Sequence, residues 1–468
     1  MLECHYKRLN KVPDCRHRKE GGVNMTRSAK GILGRSPVSI CVLLSLSSGL
    51  HAAGFYVPQK GAVGVGVAMA GDSARASDAG TVYFNPAGMT ELGGAMAQGG
   101  IDFLSPDVRI RNQGSAAVTP GTLGAAVPYS GGDGSAGRLT PIPNFYYARP
   151  LRGGDLWLGL AVAAPFGLGI DYGRDWFGRY DSIKSQLATV DLAPSLAYRA
   201  SPSWSIGGGI DFQYADAQLT NAIPNTLNPG GPTPATDGIA KLTGNGWSTG
   251  FNVGVLYHDS PNTRIGLHYR SAIGHKLDGQ VTIEGFAGPL SAANGTFNTR
   301  TDFKLPQIVS LGLAHRASPA WTLLAEYQWF GWSAFDEVRV RFDSGVPDSV
   351  RPEKFRNTHS AAFGAEYKWS DRTTLRGGVR FEQSPTIDAF RNTSIPDSDL
   401  LWLGLGATFK LSDGLLLDLG YVRANFRRAS INRTSTAFAG TPLSGTTTVS
   451  GRTDNTVDTL AMSLRYRF

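Results

Sequence analysis

The stretch AGFYVPQKGAVGVGVAMAGDSARASDAGTVYFNPA, residues 53–87, is a part of this chain that cannot hold itself folded. It is crowded with alanine and with glycine at positions 54, 61, 64, 66, 71 and 80, and it lacks the alternation of a strand. Glycine and alanine let backbone lie against backbone but bury little side-chain area. Such a segment needs a container. The downstream sequence reads as one, a closed membrane barrel, which makes this stretch its plug.

The container is legible from its turns. Tyr198-Arg199-Ala200-Ser201-Pro202-Ser203-Trp204 is echoed by His315-Arg316-Ala317-Ser318-Pro319-Ala320-Trp321. Looser copies stand at Tyr147-Ala148-Arg149-Pro150, Tyr257-His258-Asp259-Ser260-Pro261, Tyr367-Lys368-Trp369-Ser370-Asp371 and Phe409-Lys410-Leu411-Ser412-Asp413-Gly414. Each is short and sits between alternating runs, the form of a hairpin turn. Six short turns on one side imply seven hairpins and fourteen strands, beginning near residues 95, 139, 155, 187, 203, 247, 263, 302, 320, 358, 373, 400, 415 and 456. Connections on the other side, such as residues 105–138, 220–245 and 424–450, are long, aperiodic and rich in Gly, Pro, Ser, Thr and Asn. That asymmetry matches outer-membrane barrels.

Alternation gives the faces. Trp321, Leu323, Ala325, Tyr327 and Trp329 oppose Glu326 and Gln328, while Leu375, Val379 and Phe381 oppose Arg376, Arg380 and Glu382. A membrane barrel turns the apolar set to lipid and the polar set to its lumen, because no open sheet edge survives in hydrocarbon. The last strand alternates Leu460, Met462, Leu464, Tyr466 and Phe468 with Ala461, Ser463, Arg465 and Arg467. Ending a soluble sandwich, it would leave a hydrophobic edge that proteins avoid.

Composition excludes other classes. Charged residues are 18% of the chain and 59 residues are glycine, and no apolar run reaches the roughly 18 residues of a spanning helix. The net charge of +8 is concentrated at the start: residues 1–52 hold 9 Lys/Arg against 3 Asp/Glu, and the remainder holds 36 against 34. A near-neutral body gives no electrostatic case for nucleic acid. Met25 opens a secretory signal over residues 25–52, with Arg27, Lys30 and Arg35 before an apolar core at 40–50, so residues 1–24 read as a mis-called extension. Cys4, Cys15 and Cys41 all precede the expected cut after Ala52, which leaves the mature chain without thiol chemistry. No cluster has metal-ligand spacing, His258, His268, His275, His315 and His359 have no nucleophile motif beside them, and Gly64 to Gly66 follows no strand as a phosphate loop would. We expect no enzyme and no cofactor.

The ungapped series Ala53-Gly54-Phe55, Gly64, Gly71, Asp78-Ala79-Gly80, Val82 and Asn85-Pro86-Ala87 resembles the N-terminal hatch of FadL-type long-chain fatty acid transporters. The resemblance continues through Leu305-Pro306, Trp332-Ser333, Ile395-Pro396-Asp397-Ser398-Asp399 and the last strand, so it spans nearly the whole mature chain. It implies an all-β, 14-stranded antiparallel transmembrane barrel at 95–468 with a hatch at 53–94 in its lumen. It implies a multi-pass protein of the outer membrane, set among lipid and lipopolysaccharide and delivered by the assembly machinery that reads a terminal strand ending in Phe468. The activity implied is passive uptake of long-chain fatty acids or similar hydrophobic compounds. Monoaromatic hydrocarbons are the alternative ligand, and a nonselective porin or structural barrel the alternative class.

Site candidates follow. Asn85, Pro86 and Ala87 are read as the hatch anchor and Phe55 as the hatch end beside the lipid tail, both by resemblance; from the residues alone the first is a turn and the second packing. Pro165, Gly167 and Gly169 fall in the upper third strand, where a missing ladder donor and glycine should bend or open the wall; a strand that ends at Ala164 is the bland alternative. By resemblance this is a lateral opening. A carboxylate in a greasy tunnel needs a cation, since burying it unpaired costs several kcal/mol. Candidates are Lys354, Arg356, Arg376, Arg380 and Arg391, against the plainer reading that such arginines pair with Glu326, Glu366 and Glu382. Leu400 stands where the family carries a basic residue.

Overall fold

The computed structural model describes residues 54–151, 153–345 and 347–468, so the expected extension and signal segment lie outside the described residues. Strand follows strand along the chain: β1 (Met96–Asn112), β2 (Thr140–Pro150), β3 (Leu156–Ala163, resuming at Gly167–Asp171), β4 (Lys184–Arg199), β5 (Trp204–Ile223), β6 (Gly238–Ser260) and β7 (Thr263–Arg270, then Ile273–Glu284). Then come β8 (Gly295–Leu305, Ile308–Arg316), β9 (Trp321–Phe330, Glu337–Phe342), β10 (Ser349–Pro352, Thr358–Lys368), β11 (Thr373–Glu382), β12 (Leu400–Lys410), β13 (Leu415–Phe426, Ser430–Ala437) and β14 (Gly445–Arg467). Each pairs antiparallel with the next, and β14 returns to β1 from Met96–Arg467 to Asn112–Gly451. The result is a closed barrel of 14 strands, as the turn count predicts.

The faces are those of a membrane wall. On β14, Leu460, Met462, Leu464 and Tyr466 are exposed while Thr459, Ala461, Ser463 and Arg465 are buried. On β11, Leu375, Val379 and Phe381 point out and Arg376, Arg380 and Glu382 point in. The apolar exterior is the reverse of a water-soluble surface, and the interior is polar except where wall residues such as Trp157, Trp402 and Val422 pack on the N-terminal segment.

Several strands begin earlier than their alternation suggests. β6 starts at Gly238 rather than near 247, β8 at Gly295 rather than 302, and β14 at Gly445 rather than 456. Parts of the stretches 220–245 and 424–450 expected as loops are therefore strand. Beyond the bilayer both faces meet water, so no apolar period marks the ladder there.

Residues 54–95 thread the lumen as short helices α1 (Ala62–Gly66), α2 (Asp72–Arg75) and α3 (Thr81–Phe84) and a 3-10 turn, Pro86–Glu91. α1 lies against β11 to β14, α2 against β7 to β9, and α3 with the 3-10 turn against β2 to β6. The segment is almost wholly buried, and the wall makes room with glycine. A Cβ at Gly266 would stand 1.9 Å from the Ser73 carbonyl oxygen, and one at Gly378 would stand 2.0 Å from that of Val67. Backbone thus meets backbone across the lumen, which explains how so little side-chain area fills the ring.

Candidate functional site: a broken wall strand closed by the N-terminal segment

The pairing of β2 with β3 runs from Pro150–Trp157 to Phe145–Val162 and stops there. Beyond the break, Gly167–Asp171 pairs with β4 alone among the wall strands. Pro165 has no N–H to give the ladder. The four consecutive residues 165–168 are all buried, so the chain dips into the lumen instead of alternating. Thr189 of β4 holds the dip, donating from Oγ1 to the Phe166 carbonyl at 2.7 Å and accepting the Phe166 N–H at 2.9 Å. Pro165 and Gly167 thus sit at the interruption, and Gly169 lies beyond it, opposite Gln186.

The N-terminal segment supplies the missing partner. Tyr56 bridges Phe166 in antiparallel sense, with Val57 N donating to Pro165 O at 2.8 Å and Gly167 N to Phe55 O at 2.9 Å. Phe55 then packs edge-on against Trp332 and Phe335, ring centroids 4.9 and 5.0 Å away. One residue earlier, Gly54 N donates to Asp397 Oδ2 at 3.0 Å. Burial pushes the Asp397 carboxyl up to about 7, although it also accepts from Ser384 Oγ.

The far end of the segment is fixed more firmly. Asn85 Nδ2 donates to Ser73 O at 2.8 Å and to Val255 O of β6 at 3.0 Å, while its Oδ1 accepts from Ala87 N at 3.2 Å. Asn85 thus caps the 3-10 turn, and its amide nitrogen also reaches a wall carbonyl. Pro86 and Ala87 lie so close to β5 that a Cβ at Gly207 would stand 2.5 Å from Ala87 N. Glu91 adds contacts to Arg199 at 3.3 Å and His258 at 3.2 Å.

A slot runs up from Phe55. Its cavity volume is about 60 Å³, and Phe55, Leu168, Leu187, Leu219, Leu277 and Phe335 form most of its greasy wall. It shares Leu219, Leu242, Val338 and Arg351 with a wider chamber of about 320 Å³ lined by Lys184, Asp181 and several hydroxyls. Among the described residues Arg351 is the one basic residue of the slot, at its junction with the chamber, bonded to Glu353 at 2.6 Å and Ser394 Oγ at 3.0 Å.

Sequence reasoning missed Arg351. Its neighbourhood, Ser349–Pro352, has no apolar period to mark which way it points. The five proposed cations are not brought together. Arg376 forms an ion pair with Glu366 at 3.4 Å, donates to Thr408 Oγ1 at 2.6 Å and lies under α1, and Arg380 pairs with Glu382 at 3.1 Å and Gln328 at 2.9 Å. Lys354 is half exposed against Asp336 at 2.9 Å. Arg356 and Arg391 do share a basin of about 480 Å³, together with Arg427 and Arg428, but Ile387 and Ala429 are its only apolar side chains among the described residues. An alkyl tail finds little there to lie against.

Comparison with known proteins gives the family. Residues 43–468 match the family described as outer membrane protein transport protein (OMPP1/FadL/TodX). The chain belongs to this family. A long-chain fatty acid transport protein of Escherichia coli O6:H1 (strain CFT073) is 28% identical over 422 residues, covering 84% of this chain and 91% of the relative. Outer membrane protein P1 of Haemophilus influenzae (strain Rd) is 25% identical over 452 residues, covering 91% and 97%. Among solved structures, a Pseudomonas aeruginosa FadL homologue superposes with a TM-score of 0.79 at 23% identity, covering 89% of this chain and all of that one. The Pseudomonas putida toluene transporter TodX superposes at 0.62 and 16% identity, covering 88% and 99%. As an OMPP1/FadL/TodX protein the chain is an outer-membrane transport barrel, in agreement with its lipid-facing exterior.

Proposed function

We propose that this protein takes up long-chain fatty acids, or hydrophobic compounds like them, by passive diffusion, with residues 54–94 acting as a hatch. The observation that carries the reading is the double role of Phe55: its ring ends the apolar slot, and its carbonyl helps close the break in β3. A tail entering a slot of about 60 Å³ must displace side chains, and Phe55 is the one tied to the closure. Movement of residues 54–57 then opens a path through the wall beside Pro165 and Gly167, into the lipid layer rather than into water. Arg351 is placed to meet the carboxylate, replacing part of its hydration with a charge-assisted bond. The fatty acid relatives support this ligand.

In this reading the apolar exterior lies among lipid and lipopolysaccharide, and the strand ending in Phe468 is what the assembly machinery grips. Binding of oleate to purified protein, followed by intrinsic tryptophan fluorescence, tests the ligand class. Saturable quenching by oleate is expected, and Arg351→Met should weaken oleate without weakening toluene. Equal binding of both ligands by both proteins would move the reading to aromatic hydrocarbons, the cargo named for TodX.

A further inference from the structure

One fully enclosed cation of the N-terminal segment has no role in the closure or in the slot. Lys60 is 3% exposed. Its Nζ lies 4.2 Å from the centroid of the Tyr56 ring, 5.1 Å from that of Tyr83 and 5.9 Å from that of Phe84. Among the described residues it forms no ion pair, and its hydrogen-bond acceptor is the carbonyl oxygen of Val57. Burial, with Arg270 adding like charge, pushes the Lys60 ammonium well below the ordinary lysine range. Asp72 and Asp102 act on it only from a distance, Asp102 being bonded to Asn144 at 3.1 Å.

The position of that acceptor gives the cation a use. Val57 is the residue whose N–H closes the broken wall on Pro165, and its side chain packs with Leu104, Ile142 and Ala164 beside the interrupted seam. Peeling residues 55–57 away therefore opens the break, withdraws the Tyr56 ring and strips Lys60 of its oxygen partner in one movement. Left that way, Lys60 either carries a costly unpaired charge or gives up its proton, unless another acceptor arrives. An acid ligand passing through the opening carries one.

We infer that Lys60 is a second anion station, which receives the carboxylate of the ligand at the wall break after the head group has left Arg351. An ionised acid pairs with the ammonium form; a protonated one gives its O–H proton to the neutral amine form, and the same ammonium–carboxylate pair results. The site takes monocarboxylates with long apolar tails, and it has nothing to offer a neutral ester or an aromatic hydrocarbon. This inference rests on the transport reading above.

The test compares uptake of radiolabelled oleate and methyl oleate by cells carrying wild type, Lys60→Met and Lys60→Arg, with oleate binding measured on each purified protein. Lys60→Met should slow oleate uptake about tenfold, the loss of one charge-assisted contact, while binding at the slot and methyl oleate uptake stay at wild-type values. Lys60→Arg should restore most of the rate. Unchanged oleate uptake in Lys60→Met, or equal losses for acid and ester, overturns the inference alone. Wild type that moves neither ligand overturns the transport reading and this inference with it.

Discussion

The N–H of Gly54 reaches Asp397 Oδ2 across 3.0 Å, joining the first described residue to an outer loop 343 positions later. Three residues further on, Val57 closes the wall on Pro165. The carboxyl that holds this end is buried and reaches about 7 against an ordinary 3.8, with Glu382 adding repulsion. A raised carboxyl contributes to the closed state fully below the ordinary value, and that contribution is lost as pH rises through the raised one. The closed end should therefore be tightest near pH 4 and loosen up to pH 7, by up to about tenfold per pH unit. Hydrogen exchange of the peptide containing Gly54 to Val57 measures it, and Asp397→Asn should flatten the dependence.

Asn85 should behave as a permanent anchor. Asn85→Ala removes bonds to Ser73 O and Val255 O and takes the side-chain donor from the buried Ser73 carbonyl, which costs the segment about 1–3 kcal/mol. Gly254→Ala strikes the same point from the wall, placing a Cβ 2.0 Å from Asn85 Oδ1. Both variants should keep the barrel's β-sheet circular dichroism yet admit protease to residues 54–95 and raise single-channel conductance, which in wild type should be small.

Filling the slot separates tail from head group. Leu277→Trp should abolish binding of oleate and toluene alike, because the space is only about 60 Å³. Arg351→Met should spare toluene. Titration calorimetry on the two variants distinguishes these outcomes.

Mending β3 should seal the wall. Pro165→Val with Gly167→Val restores a ladder donor and strand-forming side chains where β2 lacks its partner. Oleate binding should persist while uptake falls at least about tenfold, the factor that 1.4 kcal/mol of barrier represents.

The wall was legible because lipid forces a period of two: Leu375, Val379 and Phe381 could be set against Arg376, Arg380 and Glu382 without coordinates. Where water lies on both sides the period vanishes, so the early starts at Gly238, Gly295 and Gly445 were hidden. Asn85 and Pro165 act on the backbone directly, so a turn at the first and an interrupted strand at the second could be read without coordinates. Arg351 does not, since an arginine's role depends on which groups fold against it, and Ser394, one of its partners, lies 43 positions away. The Gly54–Asp397 contact was invisible for the same reason.

The central claim, that residues 54–57 must leave the break in β3 for cargo to pass, is tested most directly by locking them there. Tyr56 and Phe166 form a pair flanked by hydrogen bonds rather than joined by them, the close antiparallel spacing that a disulfide can span. Tyr56→Cys with Phe166→Cys introduces the only cysteines among the described residues. Oleate uptake by cells carrying the oxidised protein should be near background and return on addition of dithiothreitol; uptake that is the same with the disulfide closed or reduced would contradict the account.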